Sequence, residues 1–118
     1  MSVRGVFVNA SERRALAAGD VLFNAGDSGT EMFGVIDGAI ELRHGDHVVA
    51  TIGPEGTFGE MSLIDRSPRS LTAVAGEPSE VAVINERVFL FLVHETPTFA
   101  LQVMRSLADR VRDLNERR

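Results

Sequence analysis

The chain has 118 residues, a net charge of −5, 44% apolar and 25% charged residues, and no cysteine. These values are typical of one globular domain, and the lack of cysteine excludes disulfides, thiol catalysis and cysteine-based zinc sites. The negative charge argues against nucleic acid as a partner, and no segment approaches the roughly 20 apolar residues of a membrane span. We therefore expect a cytoplasmic protein with neither a nucleic-acid nor a membrane partner.

The N-terminal segment, residues 1–18, predicts a brief helix. Within NASERRALAAG, Asn9 or Ser11 has a side chain that is preferred at a helix N-terminus, and Gly19 is a favourable end. From Asp20 the pattern changes, because short apolar runs now alternate with glycine-containing turns. This alternation indicates antiparallel strands.

Residues 19–84 predict a series of short strands. One strand precedes a Gly-Asp-Ser-Gly turn at residues 26–29, three more lie in residues 31–53, and two lie in residues 70–84. Asp37-Gly38 and Gly45-Asp46 mark tight turns, where glycine supplies the positive φ that such turns need. Strands of this length at this spacing predict a sandwich, a barrel or a roll.

Residues 85–118 predict two helices. Asn85 can cap the first, ERVFLFLVHE, whose Phe89, Phe91 and Leu92 we expect in the core, and Pro97 suits the first turn of the second. The second helix carries an apolar stripe at spacings of four and three residues, as in a coiled coil. This stripe packs either on the domain's own strands or on a partner helix. Its members are Ala100, Met104, Leu107, Val111 and Leu114.

The segment GTFGEMSLIDRSPRSLTAVA, residues 56–75, places a carboxylate and an arginine at the two ends of a mostly apolar stretch. Gly59 lets a ligand approach the backbone closely, and Arg69 offers a planar set of donors that suits phosphate oxygens. Glu60, when ionised, accepts hydrogen bonds only, so it suits a sugar hydroxyl. Ser62 and Ser70 add hydroxyl donors. The set fits a ligand with one phosphate and one hydroxyl, unless Glu60 and Arg69 simply pair with each other.

This segment resembles the phosphate-binding cassette of the cyclic nucleotide-binding domain family. The family includes the bacterial catabolite activator protein, the regulatory subunits of cyclic AMP-dependent kinase and the cyclic nucleotide-gated channels. The stretch LAAGDVLFNAGDSGTEMFGVIDGAIEL resembles the family's opening strands, so the similarity extends from Leu16 to the C-terminus. The resemblance implies a stand-alone domain: an antiparallel β-roll (a double-stranded β-helix) at residues 19–84, followed by two C-terminal helices at residues 85–118.

The resemblance also implies roles for individual residues of the cassette. Gly59 and Glu60 would bind the ribose 2′-hydroxyl, and Arg69 would pair with the cyclic phosphate. Ser70 would contact the phosphate or the purine. Leu71 stands where many members have alanine, and its larger side chain either narrows the pocket or faces the core.

The short helix of the cassette and the end of the chain complete the implied site. Backbone amides around Ser62 and Leu63, with Met61 beside them, would surround the phosphate. Asn115 or Leu114 would cover the purine, and Arg112 is a further candidate in the last helix. The resemblance favours cyclic AMP over cyclic GMP as the ligand, although Ser70 and Asn115 are compatible with both.

The expected function is ligand binding without catalysis, and it requires neither a cofactor nor a metal. Binding would reposition the C-terminal helix and signal to a second copy or another protein. A ligand-free dimerisation module and a cupin-like metal enzyme are the alternatives. His44, Asp46 and His47 lack the cupin spacing, and no histidine adjoins Ser62 or Ser70 to activate a nucleophile.

Overall fold

The computed structural model describes residues 3–116 and the side chains of residues 3–112, which form eight strands and four helices. The strands are antiparallel and build two sheets, with the orders β1-β8-β3-β6 and β2-β7-β4-β5. In chain order the elements are α1 (Val3–Val8), β1 (Arg13–Leu16), β2 (Val21–Phe23), β3 (Met32–Asp37), β4 (Ile40–His44), β5 (His47–Ile52), β6 (Thr57–Phe58), α2 (Glu60–Asp65), β7 (Thr72–Ala75), β8 (Ser79–Ile84), α3 (Glu86–Glu95) and α4 (Pro97–Glu116).

Two apolar clusters hold the layers together. The inner cluster lies between the two sheets and includes Phe33, Leu42 and Phe58. The outer cluster lies between the first sheet and the helices and includes Phe7 and Phe99. Strand β3 supplies side chains to both clusters, because successive residues of a strand point to opposite faces, and it is buried from Met32 to Ile36. The expected antiparallel β-roll followed by C-terminal helices is confirmed.

The N-terminal helix docks on the sheet through Phe7. The Phe7 ring is fully buried and lies edge-on to Phe99, with a centroid distance of 6.2 Å. A Cβ at Gly34 in β3 would overlap this ring. The glycine in β3 therefore provides the space into which α1 packs, and Phe7 links α1 to α4.

The prediction of a helix between Asn9 and Gly19 is wrong. The helix at this end lies earlier, over Val3–Val8, and Arg13–Leu16 form β1, which pairs with β8 in the register Arg13↔Ala82. Strand β1 is mostly exposed, so no apolar alternation marks it, and backbone pairing with β8 overrides the local helix signal. The sheets thus begin at Arg13, ahead of residue 19, where the sequence pattern places the start of the roll.

The two C-terminal helices lie where the sequence predicts them. Asn85 Oδ1 accepts a hydrogen bond of 2.8 Å from the amide of Val88, which confirms Asn85 as the cap of α3. Within α3, Leu92 is buried and Phe89 packs against Phe99. The prediction that Phe91 lies in the core is wrong. Its side chain is 61% exposed and lines a surface pocket beside Val6 and Phe7 of the outer cluster.

The apolar stripe predicted on α4 is split between two sides of the helix. Leu107 packs against the outer cluster, together with the buried Phe99 and Val103. Met104 and Val111 are each 56% exposed. The side chain of Leu114 lies outside the described residues. One side of the helix therefore packs on the domain, as the first of the two alternatives predicts, and another side carries uncovered apolar side chains; packing on a partner helix stays a prediction.

Candidate functional site

The segment 59–71 starts at a glycine that the local geometry requires. Gly59 precedes α2 and has a φ of 80°, in the left-handed region that glycine adopts without strain. A Cβ at this position would also lie 2.9 Å from Arg69 Nη1. Gly59 therefore both turns the chain into α2 and leaves room for the guanidinium group of Arg69.

The return from α2 to β7 is fixed by short-range hydrogen bonds. Ser62 Oγ donates to the Ser67 carbonyl at 2.7 Å, so this buried hydroxyl is engaged within the loop. Asp65 Oδ1 accepts from the Ser67 amide at 3.0 Å and from the Ser67 hydroxyl, and these bonds lower the pKa of the Asp65 carboxyl. The backbone amide of Arg69 donates to the Asp27 carbonyl at 2.9 Å, which ties the loop to the β2–β3 connection.

Arg69 is held inside the roll by an aromatic surface. Its side chain is 6% exposed, and its Cζ lies 4.3 Å from the centroid of Phe23 and 5.5 Å from that of Phe33. Nη1 donates to the Gly59 carbonyl at 3.0 Å, whereas the buried Nε has no hydrogen-bond partner. Cation–π contacts of this kind contribute about 0.5–2 kcal/mol each, so the guanidinium is held in place before any ligand binds.

Burial lowers the pKa of the Arg69 guanidinium, and the nearby carboxylates of Glu31, Asp27 and, more weakly, Glu60 oppose this shift. The ordinary pKa of an arginine lies far above neutral pH. It therefore keeps its positive charge at neutral pH despite its burial. The site thus contains a permanent cation within a chain whose net charge is −5.

Glu60 is buried at the start of α2 and is paired with the last helix. Glu60 is 1% exposed, and its Oε1 accepts a hydrogen bond from Arg110 Nη1. Arg110 Nη2 donates to the Thr57 carbonyl at 2.7 Å. Glu60 Oε2 is buried without a partner. Among the described side chains, Glu60 and Arg69 do not form the ion pair that the simpler interpretation of the sequence required.

These side chains line a pocket with a volume of about 270 Å³. Apolar walls with a few polar groups are typical of small-molecule sites. Here two lining residues of opposite charge, Arg69 and Glu60, each have one buried polar atom without a hydrogen-bond partner, Nε and Oε2. The lining residues are Phe23, Leu42, Gly59, Glu60, Met61, Ser62, Ser67, Pro68, Arg69, Ser70, Leu71 and Arg110.

Residues 13–96 match the family described as the cyclic nucleotide-binding domain. The chain belongs to the cyclic nucleotide-binding domain family. The cyclic AMP receptor protein of Thermus thermophilus is 33% identical over an alignment of 107 residues that covers 86% of this chain and 50% of that relative. This chain thus spans half the length of that relative, and the family that the sequence resembles is confirmed.

Solved structures of the family agree with the fold. The catabolite activator protein of Thermus thermophilus has a TM-score of 0.79 at 31% identity, and the match covers 98% of this chain and 55% of that one. A structure described with a cyclic-GMP-dependent signalling pathway that regulates bacterial phytopathogenesis has a TM-score of 0.72 at 33% identity. That match covers 86% of this chain and 85% of that one.

Seven of the residues predicted for the family's cassette line the pocket: Gly59, Glu60, Met61, Ser62, Arg69, Ser70 and Leu71. Leu71 also packs against the inner cluster, so its side chain serves both pocket and core. Leu63 is buried in the outer cluster, which leaves its backbone as the part that a ligand could contact. Asn115, predicted to cover the purine, has its side chain outside the described residues, as does Leu114. Arg112 pairs instead with Asp109 at 2.6 Å on the exposed surface.

Sequence reasoning missed the three pocket residues that lie outside residues 56–75: Phe23, Leu42 and Arg110. Arg110 is the most informative, because it joins α4 to the cassette across 50 residues of sequence. A signal for it exists. Phe99, Val103 and Leu107 mark the packed side of α4, and Arg110 continues that side one turn further. A charged residue in line with a packed stripe needs a buried partner.

Two other features bear on different kinds of function. His44 and His47 pair across the β4–β5 hairpin and are exposed. Within residues 3–116, no group of three His, Asp or Glu side chains converges as metal ligands would. None of the helices in this described part combines the length and apolar character needed to cross a bilayer.

Proposed function

We propose that this domain binds a cyclic purine nucleotide, with cyclic AMP as the main ligand, and signals through α4. One observation carries the proposal: two buried side chains of opposite charge line one pocket, and each keeps an unpartnered polar atom. A buried polar atom without a hydrogen bond costs about 1–3 kcal/mol. A ligand with an anionic phosphate and a sugar hydroxyl is chemically complementary to both side chains.

The chemistry of the pocket assigns each part of the ligand. The cyclic phosphate binds the Arg69 guanidinium, with the amides of Ser62 and Leu63 and the Ser70 hydroxyl nearby. The ribose 2′-hydroxyl donates to Glu60 Oε2 beside Gly59. The purine lies against the apolar Leu42 and Leu71, and the end of α4 covers it. These contacts bind and orient a ligand, and they break no bond, so the proposed role is regulatory.

Arg110 provides the proposed route from ligand to surface. It binds Glu60 Oε1 and the Thr57 carbonyl, so a ligand that contacts Glu60 would change the contacts of α4. A ligand that favours one position of α4 shifts the population toward it. The uncovered Met104 and Val111 on α4 then meet a second copy or another cytoplasmic protein differently.

Calorimetric titration with cyclic AMP, cyclic GMP and linear 5′-AMP tests the proposal. We expect micromolar affinity for cyclic AMP, about −8 kcal/mol, weaker binding of cyclic GMP, and no measurable binding of 5′-AMP. Arg69→Ala removes the charged partner of the phosphate and should weaken binding by about 10- to 100-fold, or 1.5–3 kcal/mol. Arg66→Ala is the matched control, because Arg66 is exposed and pairs with Glu86 outside the pocket. Absence of binding by the wild-type domain at millimolar cyclic nucleotide would refute the proposal.

A second candidate is a dimerisation module that needs no ligand. The exposure of Met104 and Val111, seven residues apart on α4, favours it, since apolar residues at this spacing form a helix–helix seam. Sedimentation velocity with and without cyclic AMP separates the two. A dimer that is insensitive to nucleotide and is lost in Met104→Glu would support the module, whereas a monomer in both conditions would contradict it.

A further inference from the structure

We infer that Gly29, in the β2–β3 connection, is a positioning residue for the guanidinium of Arg69. The inference extends the proposed function, because it concerns the group that we assign to the phosphate. Gly29 does not line the pocket, and it lies 40 residues before Arg69 in the sequence. Its effect on a ligand would therefore be transmitted by Arg69.

Gly29 is required for space and not for backbone conformation. A Cβ at Gly29 would lie 2.5 Å from Arg69 Nη2, 2.6 Å from Nε and 2.7 Å from Cζ. Side-chain carbon atoms do not approach nitrogen this closely in folded proteins, so one group must move. The φ of Gly29 is not in the left-handed region, and alanine can therefore adopt the same backbone conformation.

The guanidinium has little freedom to yield while it stays in place. Gly59 closes another side, since a Cβ there would lie 2.9 Å from Nη1, and Nη1 is bonded to the Gly59 carbonyl. The Phe23 ring lies 4.3 Å from Cζ. The β2–β3 connection also holds the backbone of Arg69, because the Gly26 amide donates to the Arg69 carbonyl at 2.7 Å. One connection thus fixes the main chain of Arg69 and leaves the space for its side chain.

The donors next to Gly29 are those that a phosphate would use. Nη1 is engaged with the Gly59 carbonyl, whereas Nε is buried without a partner. The added methyl group would either displace the guanidinium or occupy the space beside Nε and Nη2. Both outcomes remove the two-point contact that makes arginine a strong phosphate partner. The cost to the fold is small, because the displaced atoms are the far end of a flexible side chain.

The test compares Gly29→Ala with Gly53→Ala. Gly53 is the matched control, because its φ is not left-handed and nothing lies within 4 Å of the position that an added methyl group would take. We expect Gly29→Ala to weaken cyclic AMP binding at least tenfold with a melting temperature within about 3 °C of wild type. Gly53→Ala should bind within twofold of wild type. Equal affinities of Gly29→Ala and wild type would overturn the inference.

A double variant shows whether Gly29 acts through Arg69. If it does, Gly29→Ala combined with Arg69→Ala binds no more weakly than Arg69→Ala alone, since effects within one interaction are not additive. Full additivity would overturn the inference. If Gly29→Ala unfolds instead, the double variant should regain stability because the clashing group is gone, and its failure to do so would equally count against the inference.

The NMR signal of Arg69 Nε–H gives a readout that needs no ligand. In the wild type this group is buried near Phe23, so we expect a ring-shifted resonance with slow exchange, and Gly29→Ala should shift it and speed its exchange. An unchanged signal would overturn the inference even if no nucleotide binds. Lack of binding by the wild type with an altered signal in the variant would refute the proposed function and leave the positioning role of Gly29 standing.

Discussion

Two arginines reach the same pocket, and the protein holds them in different ways. Arg69 comes from the cassette, is 6% exposed, and is enclosed by Phe23, Gly29 and Gly59. Arg110 comes from α4, keeps 30% of its side chain exposed, and contacts the carboxylate of Glu60 and one carbonyl. The first is part of the inner structure of the roll, whereas the second reaches in from the surface.

This difference suggests that Arg69 determines the affinity for the ligand and that Arg110 determines how α4 responds to it. A group that is already in position loses little entropy when a ligand binds, so Arg69 suits a permanent anion site. The Glu60 carboxylate is buried and Arg110 is partly exposed, so the contact of Arg110 can be exchanged at small cost for a ligand group that keeps the carboxylate hydrogen-bonded. We therefore expect substitutions around Arg69 to change affinity and substitutions at Arg110 to change the response of α4.

The largest effect on cyclic AMP affinity in this comparison is expected for Glu60→Gln. The carboxylate bonds Arg110 and, in our proposal, the ribose 2′-hydroxyl, and a hydrogen bond to a charged group contributes about 1.5–3 kcal/mol. Cyclic AMP should bind about 10- to 100-fold more weakly. Titration with 2′-deoxy cyclic AMP isolates the contact, because wild type should prefer cyclic AMP and Glu60→Gln should lose most of that preference. Glu86→Gln, which is exposed, is the control, and an undiminished preference in Glu60→Gln would contradict the assignment.

A smaller effect on cyclic AMP affinity is expected for Arg110→Gln. Loss of Arg110 leaves the buried Glu60 carboxylate without its charged partner, so the free energy of unfolding should fall by about 3 kcal/mol, whereas affinity should change less than fivefold. Hydrogen exchange of residues 104–112, with and without cyclic AMP, measures the response of α4. We expect the ligand-dependent change to be reduced in Arg110→Gln and retained in Arg105→Gln, the exposed control on the same helix. The same change in all three proteins would mean that α4 responds by another route.

The contrast between the cassette and the distant elements also explains which site residues could be predicted from the sequence. The cassette residues are contiguous, so a single segment carries Gly59, Glu60 and Arg69, and their chemistry is readable in order. Phe23 and Arg110 come to the pocket from distant elements, and the tertiary packing of the roll and α4 decides their positions. Six of the seven strands after residue 20 were predictable because glycine-containing turns delimit them, whereas the two-residue β6 lies in a stretch that the sequence pattern assigns to a connection.

The N-terminus shows why a local signal can fail. Asn9 and Ser11 are good helix caps, yet β1 forms after them because β8 offers an unpaired edge. The real helix is marked by Val3, Val6 and Phe7, whose spacing places them on one side of a helix. Its end is set by the pairing of β1, which depends on a strand almost 70 residues later in the chain.

The smallest effect on cyclic AMP affinity is expected for substitution of Asp65, which supports the loop that carries Arg69. The Ser67 hydroxyl and amide donate to its carboxylate and hold its pKa below the ordinary value of 3.8. Because the folded pKa is lowered, the stabilisation is present at neutral pH and is lost as the pH falls below about 4, through the folded pKa. Carboxyl NMR titration should show this low pKa, and Asp65→Asn should weaken cyclic AMP binding by threefold or less at pH 7. Titration of Asp65 at or above 3.8 would mean that Ser67 does not hold the loop in solution, and the rigidity of Arg69 would then rest on Phe23 and the β2–β3 connection.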